Sequence, residues 1–258
     1  MWQNIYNKLK KNQFLFEELV KRDFKQKYKR TLLGMLWSVL SPLLMLLVMS
    51  IVFTNFFGRN MQHFTTYLFS GWIVFNYFTE ATNGGMISLV SNSSIFTKVN
   101  VPKYLFLFSK NVSAAINFGI VLIVYFVFAA MDGVNFTWKF LLLFYPIGCL
   151  AIFNIGMGLI LSALFIIFKD IQYLYSLFTQ IIMYLSAIFY PATAFGELLP
   201  LFYCNPIYVY ITYFRWIVIE GIVPSLQFHG LCAFYAIVVF AIGAGIYKKY
   251  NYKFLYYV

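Results

Sequence analysis

Charged side chains are scarce in this sequence of 258 residues, where Asp, Glu, Lys and Arg make up 10% and hydrophobic residues 62%. Soluble domains carry about 25% charged residues, and a chain of this length has too much surface to cover with so few. The composition therefore excludes a cytosolic enzyme, a disordered chain and a secreted disulfide scaffold. A mean hydropathy of +0.77 indicates an integral membrane protein, with one domain over residues 1–258.

Residues that carry out catalysis or bind metals are also few. No glycine is followed by lysine, so the phosphate-binding loop of ATPases is absent. The 2 histidines are isolated, and the cysteines Cys149, Cys204 and Cys232 lack metal-ligand spacing. The apolar stretches lack the Asp, Glu and His series that a proton-driven pump requires. We expect a transport protein with no catalytic residue, metal or cofactor of its own, driven by a separate motor subunit.

Long uncharged intervals locate the membrane spans. Five of them contain 28, 21, 29, 26 and 27 residues, and they cover residues 31–58, 111–131, 140–168, 171–196 and 221–247. A spanning helix needs about 20 apolar residues, so each interval is long enough. A sixth predicted span over residues 64–90 is interrupted by Glu80, which either hydrogen-bonds to a neighbouring helix or lines a transport path. The sequence thus predicts an all-α integral membrane protein with six transmembrane helices.

The distribution of lysine and arginine predicts the orientation of these spans. If six helices cross with the N terminus inside, 16 of the 19 basic residues face the cytoplasm and 3 face outside. Cytoplasmic loops carry the excess of basic residues in membrane proteins. We therefore expect a bacterial plasma (inner) membrane protein with both termini and the loop around Lys98 in the cytoplasm. The net charge of +11 is interpreted as a topology signal and a lipid contact, and not as nucleic-acid binding.

Residues 1–30 form a predicted amphipathic helix. Trp2, Ile5, Tyr6 and Leu9 recur at helical spacing, and lysines and arginines occupy the other faces. This pattern is typical of a helix that lies in the inner membrane interface. The helix either only anchors the chain and sets its topology, or has a further role.

Residues 190–224 are apolar but broken by four prolines and two glycines. One straight helix cannot contain so many breaks, so we expect two short re-entrant helices between the fifth and sixth spans on the outer side. Such backbone is tolerated at membrane depth only where it is buried in protein or lines a water-filled cavity. The charged residues Arg215 and Glu220 must then face water or protein.

Three ordered groups of motifs carry a family resemblance. They are Arg22-Asp23 with Leu33-Gly34, Trp37 and Pro42; residues 95–103 with Val101-Pro102-Lys103; and Lys169-Asp170 followed by Tyr190-Pro191, Asn205-Pro206 and Tyr213-Phe214-Arg215. Together they resemble the type-2 ABC exporter permeases that move polysaccharides and teichoic acids. Each motif is short, but their order agrees with the predicted spans and extends over nearly the whole chain.

The resemblance implies a six-helix half-transporter that forms a homodimer and binds two copies of a nucleotide-binding ATPase subunit, which would hold ATP and Mg²⁺. It implies a lipid-linked polysaccharide substrate, of the O-antigen, capsule or teichoic-acid type, on undecaprenyl pyrophosphate. The first and fifth spans of the two copies would line the path. Residues 190–224 would form an outer gate, and residues 91–104 would be the cytoplasmic coupling segment.

Two groups of candidate residues lie toward the cytoplasm. Cations beside the first span would contact the lipid pyrophosphate, or would only set topology and bind phospholipid; they are Arg22, Lys27, Lys29 and Arg30. Apolar residues and flanking cations in the coupling segment indicate a partner surface; they are Ile95, Phe96, Lys98, Val101, Pro102 and Lys103.

Two further groups lie in the spans and beyond them. Aromatic residues would pack on sugar rings or belong to interfacial belts; they are Trp37, Phe53, Tyr184, Phe189 and Tyr190. The candidate gate residues are Tyr208, Tyr213, Arg215, Trp216 and Glu220. Arg215 would hold the gate closed by pairing with Glu220 or with backbone carbonyls, or it would meet the passing lipid phosphate.

The sequence therefore predicts the membrane-spanning permease of an ATP-driven polysaccharide exporter. Alternatives are a type-2 ABC exporter of a drug or lipid, a membrane-embedded glycan-lipid transferase, and a passive channel. A transferase would need clustered Asp, Glu or His at a membrane face, and the sequence has no such cluster. A passive channel would need no motor subunit.

Cysteine accessibility tests the predicted orientation. In a chain whose native cysteines are replaced by serine, Asn60→Cys should react with a membrane-impermeant thiol reagent added to intact spheroplasts, because residue 60 lies in a predicted outer loop. Asn100→Cys should react only after the cells are opened. Labelling of Asn60→Cys from the cytoplasmic side alone would contradict the topology.

Overall fold

The computed structural model describes residues 2–29, 31, 33–57 and 62–256. All regular secondary structure in these ranges is helical, which confirms the predicted all-α class. The α-helices are α1 (Trp2–Tyr28), α2 (Trp37–Phe57), α3 (Phe64–Ser91), α4 (Ser93–Phe96), α5 (Tyr104–Met131), α6 (Phe144–Ile167), α7 (Ile171–Leu185), α8 (Leu199–Phe202), α9 (Pro206–Val218) and α10 (Leu226–Tyr250). Short 3₁₀ turns lie at Gly34–Leu36, Trp138–Leu143, Ala192–Leu198 and Lys253–Leu255.

Three helices of the described ranges are long and apolar enough to cross a membrane. They are Tyr104–Met131, Trp138–Ile167 and Leu226–Tyr250, with 28, 30 and 25 residues. The second of them is α6 continued by the 3₁₀ turn before it. The remaining predicted spans also coincide with helices, namely α2, α3 and α7, of which α7 has only 15 residues.

One end of the bundle, which we call the first end, gathers distant parts of the chain. Lys103, just before α5, donates a hydrogen bond of 2.9 Å to the backbone carbonyl of Asn251, just after α10. Leu19 of α1 is buried in the same apolar cluster as Phe96 and Phe254. The N-terminal helix, the segment between α3 and α5 and the C-terminal residues therefore lie together, on whichever side of the membrane this end faces.

The second end carries the opposite connections. The carboxylate of Asp132, just after α5, accepts a hydrogen bond from Thr66 near the start of α3 and lies 3.3 Å from the Nδ1 atom of His63. Lys139, before α6, donates to the backbone carbonyl of Gly221, before α10. Successive long helices therefore run alternately between the two ends.

Helix α3 lies at the centre of the bundle and packs against α2, α5, α6 and α9. Its carboxylate Glu80 accepts a hydrogen bond of 2.8 Å from the side-chain amide of Asn117 on α5. Of the two alternatives for Glu80, the structure therefore shows the hydrogen bond between helices. Such a bond offsets the cost of placing an ionisable group in apolar surroundings.

Helices α6 and α10 form the most extensive helix pair of the described residues. Their backbones approach closely at two glycines. A Cβ atom on Gly156 would lie 2.6 Å from the backbone nitrogen of Phe240, and one on Gly243 would overlap the carbonyl oxygen of Gly156. Small residues of this kind allow membrane helices to gain van der Waals contact along their backbones.

We expect Gly243→Leu to separate α6 from α10, because the new side chain would meet backbone that cannot move aside. The same change at Gly245, where an added Cβ meets open space, should leave the protein as stable as wild type or slightly more stable, since Leu favours helix by about 0.5–1 kcal/mol over Gly. Fluorescence-detected thermal unfolding in detergent measures the difference. Equal melting temperatures for the two variants would refute this packing.

Candidate functional site

Within the coupling segment (residues 91–104), the stretch between α3 and α5 divides its apolar residues between two directions. The ring of Phe96 is only 6% exposed, with its centroid 6.1 Å from that of Phe106. Ile95 and Val101 are partly buried against the same cluster. Val99 is instead 54% exposed, so it is the apolar residue that this segment presents outward. Sequence reasoning missed Val99, because nothing in the local pattern separates it from Val101.

The other coupling candidates also differ in exposure. Lys98 lies on the exposed side with Val99, whereas Pro102 and Lys103 are partly buried. The Lys103 side chain turns to the chain's own C-terminal residues. A partner that approaches the coupling segment would therefore meet Lys98 and Val99 before the remaining candidates.

A buried carboxylate joins α1 to both sides of the coupling segment. The Asp23 side chain, 1% exposed, accepts hydrogen bonds from Arg22 at 2.8 Å, from Lys110 at 3.0 Å and from Ser109 at 2.9 Å. Arg22 also donates to the Oδ1 atom of Asn92, at 2.8 Å. Two cations and a hydroxyl thus compensate a charge that would be costly to bury alone.

This network gives Arg22 an internal role, whereas the sequence placed it among cations for a lipid pyrophosphate. Of the other three, Lys29 is exposed near the start of α2. Arg30 and the side chain of Lys27 lie outside the described residues. Arg22 still exposes 39% of its side chain, so in the described part of the chain both Arg22 and Lys29 remain predicted contacts of the lipid pyrophosphate.

A groove with a volume of about 660 Å³ runs beside α2. Trp37 and Trp72 supply aromatic faces to it, and Ser38, Asn76 and Asn117 supply polar groups. Aromatic faces beside amides and hydroxyls suit a ligand with both apolar and hydrogen-bonding surface. Sequence reasoning predicted Trp37 but missed Trp72, which looked like ordinary apolar content of the second span.

The remaining predicted path aromatics meet where α2 passes the end of α7. The rings of Phe53 and Phe189 stack with centroids 4.8 Å apart, and Tyr184 lies 6.2 Å from Phe189. The hydroxyl of Tyr190 donates to the backbone carbonyl of Tyr184. Trp37 lies at the other end of α2, so the structure brings four of the five aromatics together.

Arg215 of α9 is 5% exposed and makes hydrogen bonds with every nitrogen of its guanidinium. Its Nε atom donates to the hydroxyl of Ser70 at 3.2 Å, and Nη1 to the carbonyl of Ala187 at 2.9 Å. Nη2 donates to the carbonyls of Tyr67 and Ile188, at 3.1 and 3.2 Å. Arg215 thus ties α9 to α3 and to the residues just after α7.

Two features of the surroundings accommodate this side chain. A Cβ atom on Gly71 would lie 2.7 Å from Nη2 of Arg215, so only glycine leaves room there. Ala187 has a φ of 48°, a left-handed conformation that costs energy for a residue with a Cβ atom. Its carbonyl accepts from both Arg215 and the Tyr67 hydroxyl, and these bonds hold the strained turn.

Four of the five predicted gate residues line one cavity of about 380 Å³; they are Tyr208, Arg215, Trp216 and Glu220. Tyr213 is separate, since its hydroxyl lies 2.7 Å from the Nε2 atom of His229 on α10. Nδ1 of His229 lies 2.9 Å from the carbonyl of Ser225. A carbonyl only accepts, so Nδ1 carries the hydrogen and Nε2 accepts from Tyr213 when the ring is neutral. The role of His229 was not foreseen.

Asn205 joins the ends of two helices. Its side-chain amide donates to the carbonyl of Leu185 and to the hydroxyl of Ser186, at 3.1 and 2.9 Å. Its Oδ1 atom accepts from the backbone nitrogen of Ile207, which caps α9. The Asn205-Pro206 motif therefore starts α9 and ends α7 at the same place.

Metal chemistry has no counterpart in the part of the chain that the structure describes. Those residues contain no group of three or more His, Cys, Asp or Glu side chains that could hold an ion. The chemistry of the described sites is hydrogen bonding, aromatic contact and charge pairing.

We expect Arg215→Ala to loosen the second end of the bundle, since four acceptors lose a charged donor and a hydrogen bond to a charged group contributes about 1.5–3 kcal/mol. The variant should leak ions in proteoliposomes, as measured by the quenching of an enclosed pH-sensitive dye. Glu220→Gln is the matched control and should stay sealed, because the bonds of Arg215 go to carbonyls and Ser70. A leak of equal size in both variants would show that an ion pair between Arg215 and Glu220 holds this region.

The sequence of this chain is similar to those of known membrane transport proteins. The model of the protein family described as ABC-2 type transporter matches residues 15–219. An O-antigen export system permease protein of Klebsiella pneumoniae is 25% identical over 249 residues, which cover 93% of this chain and 95% of that protein. A protein of the same description from Myxococcus xanthus is 27% identical over 185 residues, covering 71% of this chain and 70% of its own.

Proposed function

Because this chain belongs to the ABC-2 type transporter family, we propose that it is the membrane-spanning permease of an ATP-driven exporter of polysaccharide. The observation that carries the proposal is the likeness to O-antigen export permeases, which in one case extends over 95% of the relative. The groove beside α2 supports it, because Trp37 and Trp72 offer flat faces for sugar rings and Asn76 offers an amide for hydroxyl groups. The substrate is a polymer of the O-antigen, capsule or teichoic-acid type, carried on undecaprenyl pyrophosphate.

Energy comes from a separate subunit in this proposal. The chain has no phosphate-binding loop, so ATP and Mg²⁺ bind to a nucleotide-binding ATPase, two copies of which join a homodimer of this chain. The coupling segment receives the ATPase, with Lys98 and Val99 as its outward-facing residues. Buried Phe96 and Asp23 fix the position of that segment.

The proposed arrangement in the plasma (inner) membrane has six spans, formed by α2, α3, α5, α6, α7 and α10. The first end of the bundle faces the cytoplasm, and α1 lies in the inner interface. The 3₁₀ turn at Ala192–Leu198, α8 and α9 form the re-entrant outer gate, held by Arg215. The alternation of the long helices between two ends supports this topology.

The second copy of the chain completes the path. Helix α7 has only Tyr175 buried, and a row of large apolar residues on its other faces is exposed: Tyr173, Leu174, Leu177, Phe178, Ile181 and Tyr184. With Phe53 and Phe189 stacked beside its end, α7 and α2 form the wall between the copies. Lys29 stands at the cytoplasmic entrance for the lipid pyrophosphate.

Deletion of the gene tests the substrate. We expect surface polysaccharide to disappear and a lipid-linked polymer to accumulate inside the cell, because synthesis continues without export. Restoring the gene should restore the surface polymer, and Trp72→Ala should restore it only partly, since one face of the groove is lost. The polymer is measured by immunoblotting of surface-exposed and total material.

Three outcomes separate the alternatives. Unchanged surface polysaccharide with a new drug or lipid phenotype would identify an exporter of another substrate. Loss of the lipid-linked polymer itself would indicate a transferase. ATP hydrolysis by the purified chain without any ATPase subunit would refute the proposal that a separate subunit supplies the energy.

A further inference from the structure

The C-terminal residues 251–256 (the C-terminal tail) fold back onto the first end of the bundle. Phe254 is fully buried, and its ring lies 5.1 Å from that of Tyr247 on α10, in a T-shaped arrangement. Tyr252 and Tyr256, by contrast, are 82% and 86% exposed. One aromatic of the tail is therefore selected for burial, and it enters the same cluster as Phe96 of the coupling segment.

Lys103 lies close to the rings of both Phe96 and Phe254. Its ammonium is 5.7 Å from the centroid of Phe96 and 5.6 Å from that of Phe254. It also donates a hydrogen bond of 2.9 Å to the carbonyl of Asn251. Asn251 is the C-cap residue of α10, so the cation stands at the negative end of that helix, where positive charge is favourable.

The two cation–π contacts and the hydrogen bond have different physical origins, and all of them hold the ammonium in the same place. A cation over an aromatic face gains about 0.5–2 kcal/mol, more when water is excluded, and a carbonyl at a helix end needs a donor. A lysine that served only as a topology signal would extend into water. Lys103 is partly buried instead, and burial lowers its pKa below the usual value. Holding the cation there therefore costs desolvation energy.

We propose that Lys103, Asn251 and Phe254 form a latch that fixes the coupling segment to the C-terminal end of α10. Lys103 is then a positioning residue, and a displacement imposed by the ATPase subunit reaches α10 directly as well as α5. From α10 it passes to α6, because the two backbones touch at Gly156 and Gly243. This inference rests on the proposed function.

The latch is tested in the complex of the full chain with its co-expressed ATPase subunit. Lys103→Met keeps the length and apolar stem of the side chain and removes its charge. We expect assembly and ATP hydrolysis close to wild type, with surface polysaccharide per ATP hydrolysed reduced roughly three- to tenfold. Lys103→Arg keeps the cation and should restore export.

Phe254→Leu removes the aromatic face and retains a buried apolar side chain. It should lower export by a similar or smaller factor, and the double variant with Lys103→Met should be no worse than Lys103→Met alone, because the Phe254 ring acts through the Lys103 cation. Lys248→Met and Tyr252→Leu are matched controls on exposed residues outside the coupling segment, and both should export normally.

The outcomes separate the latch from the proposed function. If wild-type chain does not bind the ATPase subunit, the proposed function fails. If wild type exports and Lys103→Met exports equally well, the latch alone is refuted. A loss of export that merely follows a lower amount of assembled complex, with export per ATP unchanged, would also refute it, because Lys103 would then serve stability only.

Discussion

A buried guanidinium organises the second end of the bundle. Arg215 is placed where a charge without partners would cost several kcal/mol, and its nitrogens therefore collect the carbonyls of three residues and the hydroxyl of Ser70. These acceptors belong to α3 and to the turn after α7, so one side chain holds three parts of the chain in register. The missing side chain of Gly71 leaves room for the guanidinium, and the left-handed backbone of Ala187 directs a carbonyl toward it.

At the first end the buried ion is an anion, and it too is surrounded by hydrogen-bond partners. The carboxylate of Asp23 is buried, and it draws Arg22, Ser109 and Lys110 around it. Leu19 of α1 is buried in the apolar cluster of this end, and the polar contacts of Asp23 add directional bonds to α5. At each end a buried ion with several partners thus joins distant parts of the chain, and apolar contact packs most of the long helices between the ends.

Much of the helical content could be predicted from the sequence, because charge-free intervals and proline breaks are properties of single segments. The helix over Tyr104–Met131 and the interruptions after residue 190 follow directly from such patterns. The partners of Arg215 could not be predicted beyond a choice between Glu220 and carbonyls, since they come from 27 to 148 residues away. The opposite orientations of Phe96 and Val99 depend in the same way on α5 and the C-terminal tail, which the local sequence does not contain.

The short length of α7 has a consequence for the membrane around it. Fifteen residues extend about 22 Å at 1.5 Å per residue, whereas the hydrocarbon core is about 30 Å thick. In the proposed arrangement α7 is one of the spans, and a span of this length creates hydrophobic mismatch, which lipid relieves by thinning next to the protein. The non-helical residues that follow α7 are held by other side chains: the hydroxyl of Ser186 accepts from Asn205, and the carbonyl of Ala187 accepts from Arg215. A charged headgroup that moves along α7 would then cross a shorter hydrocarbon distance than in a bilayer of normal thickness.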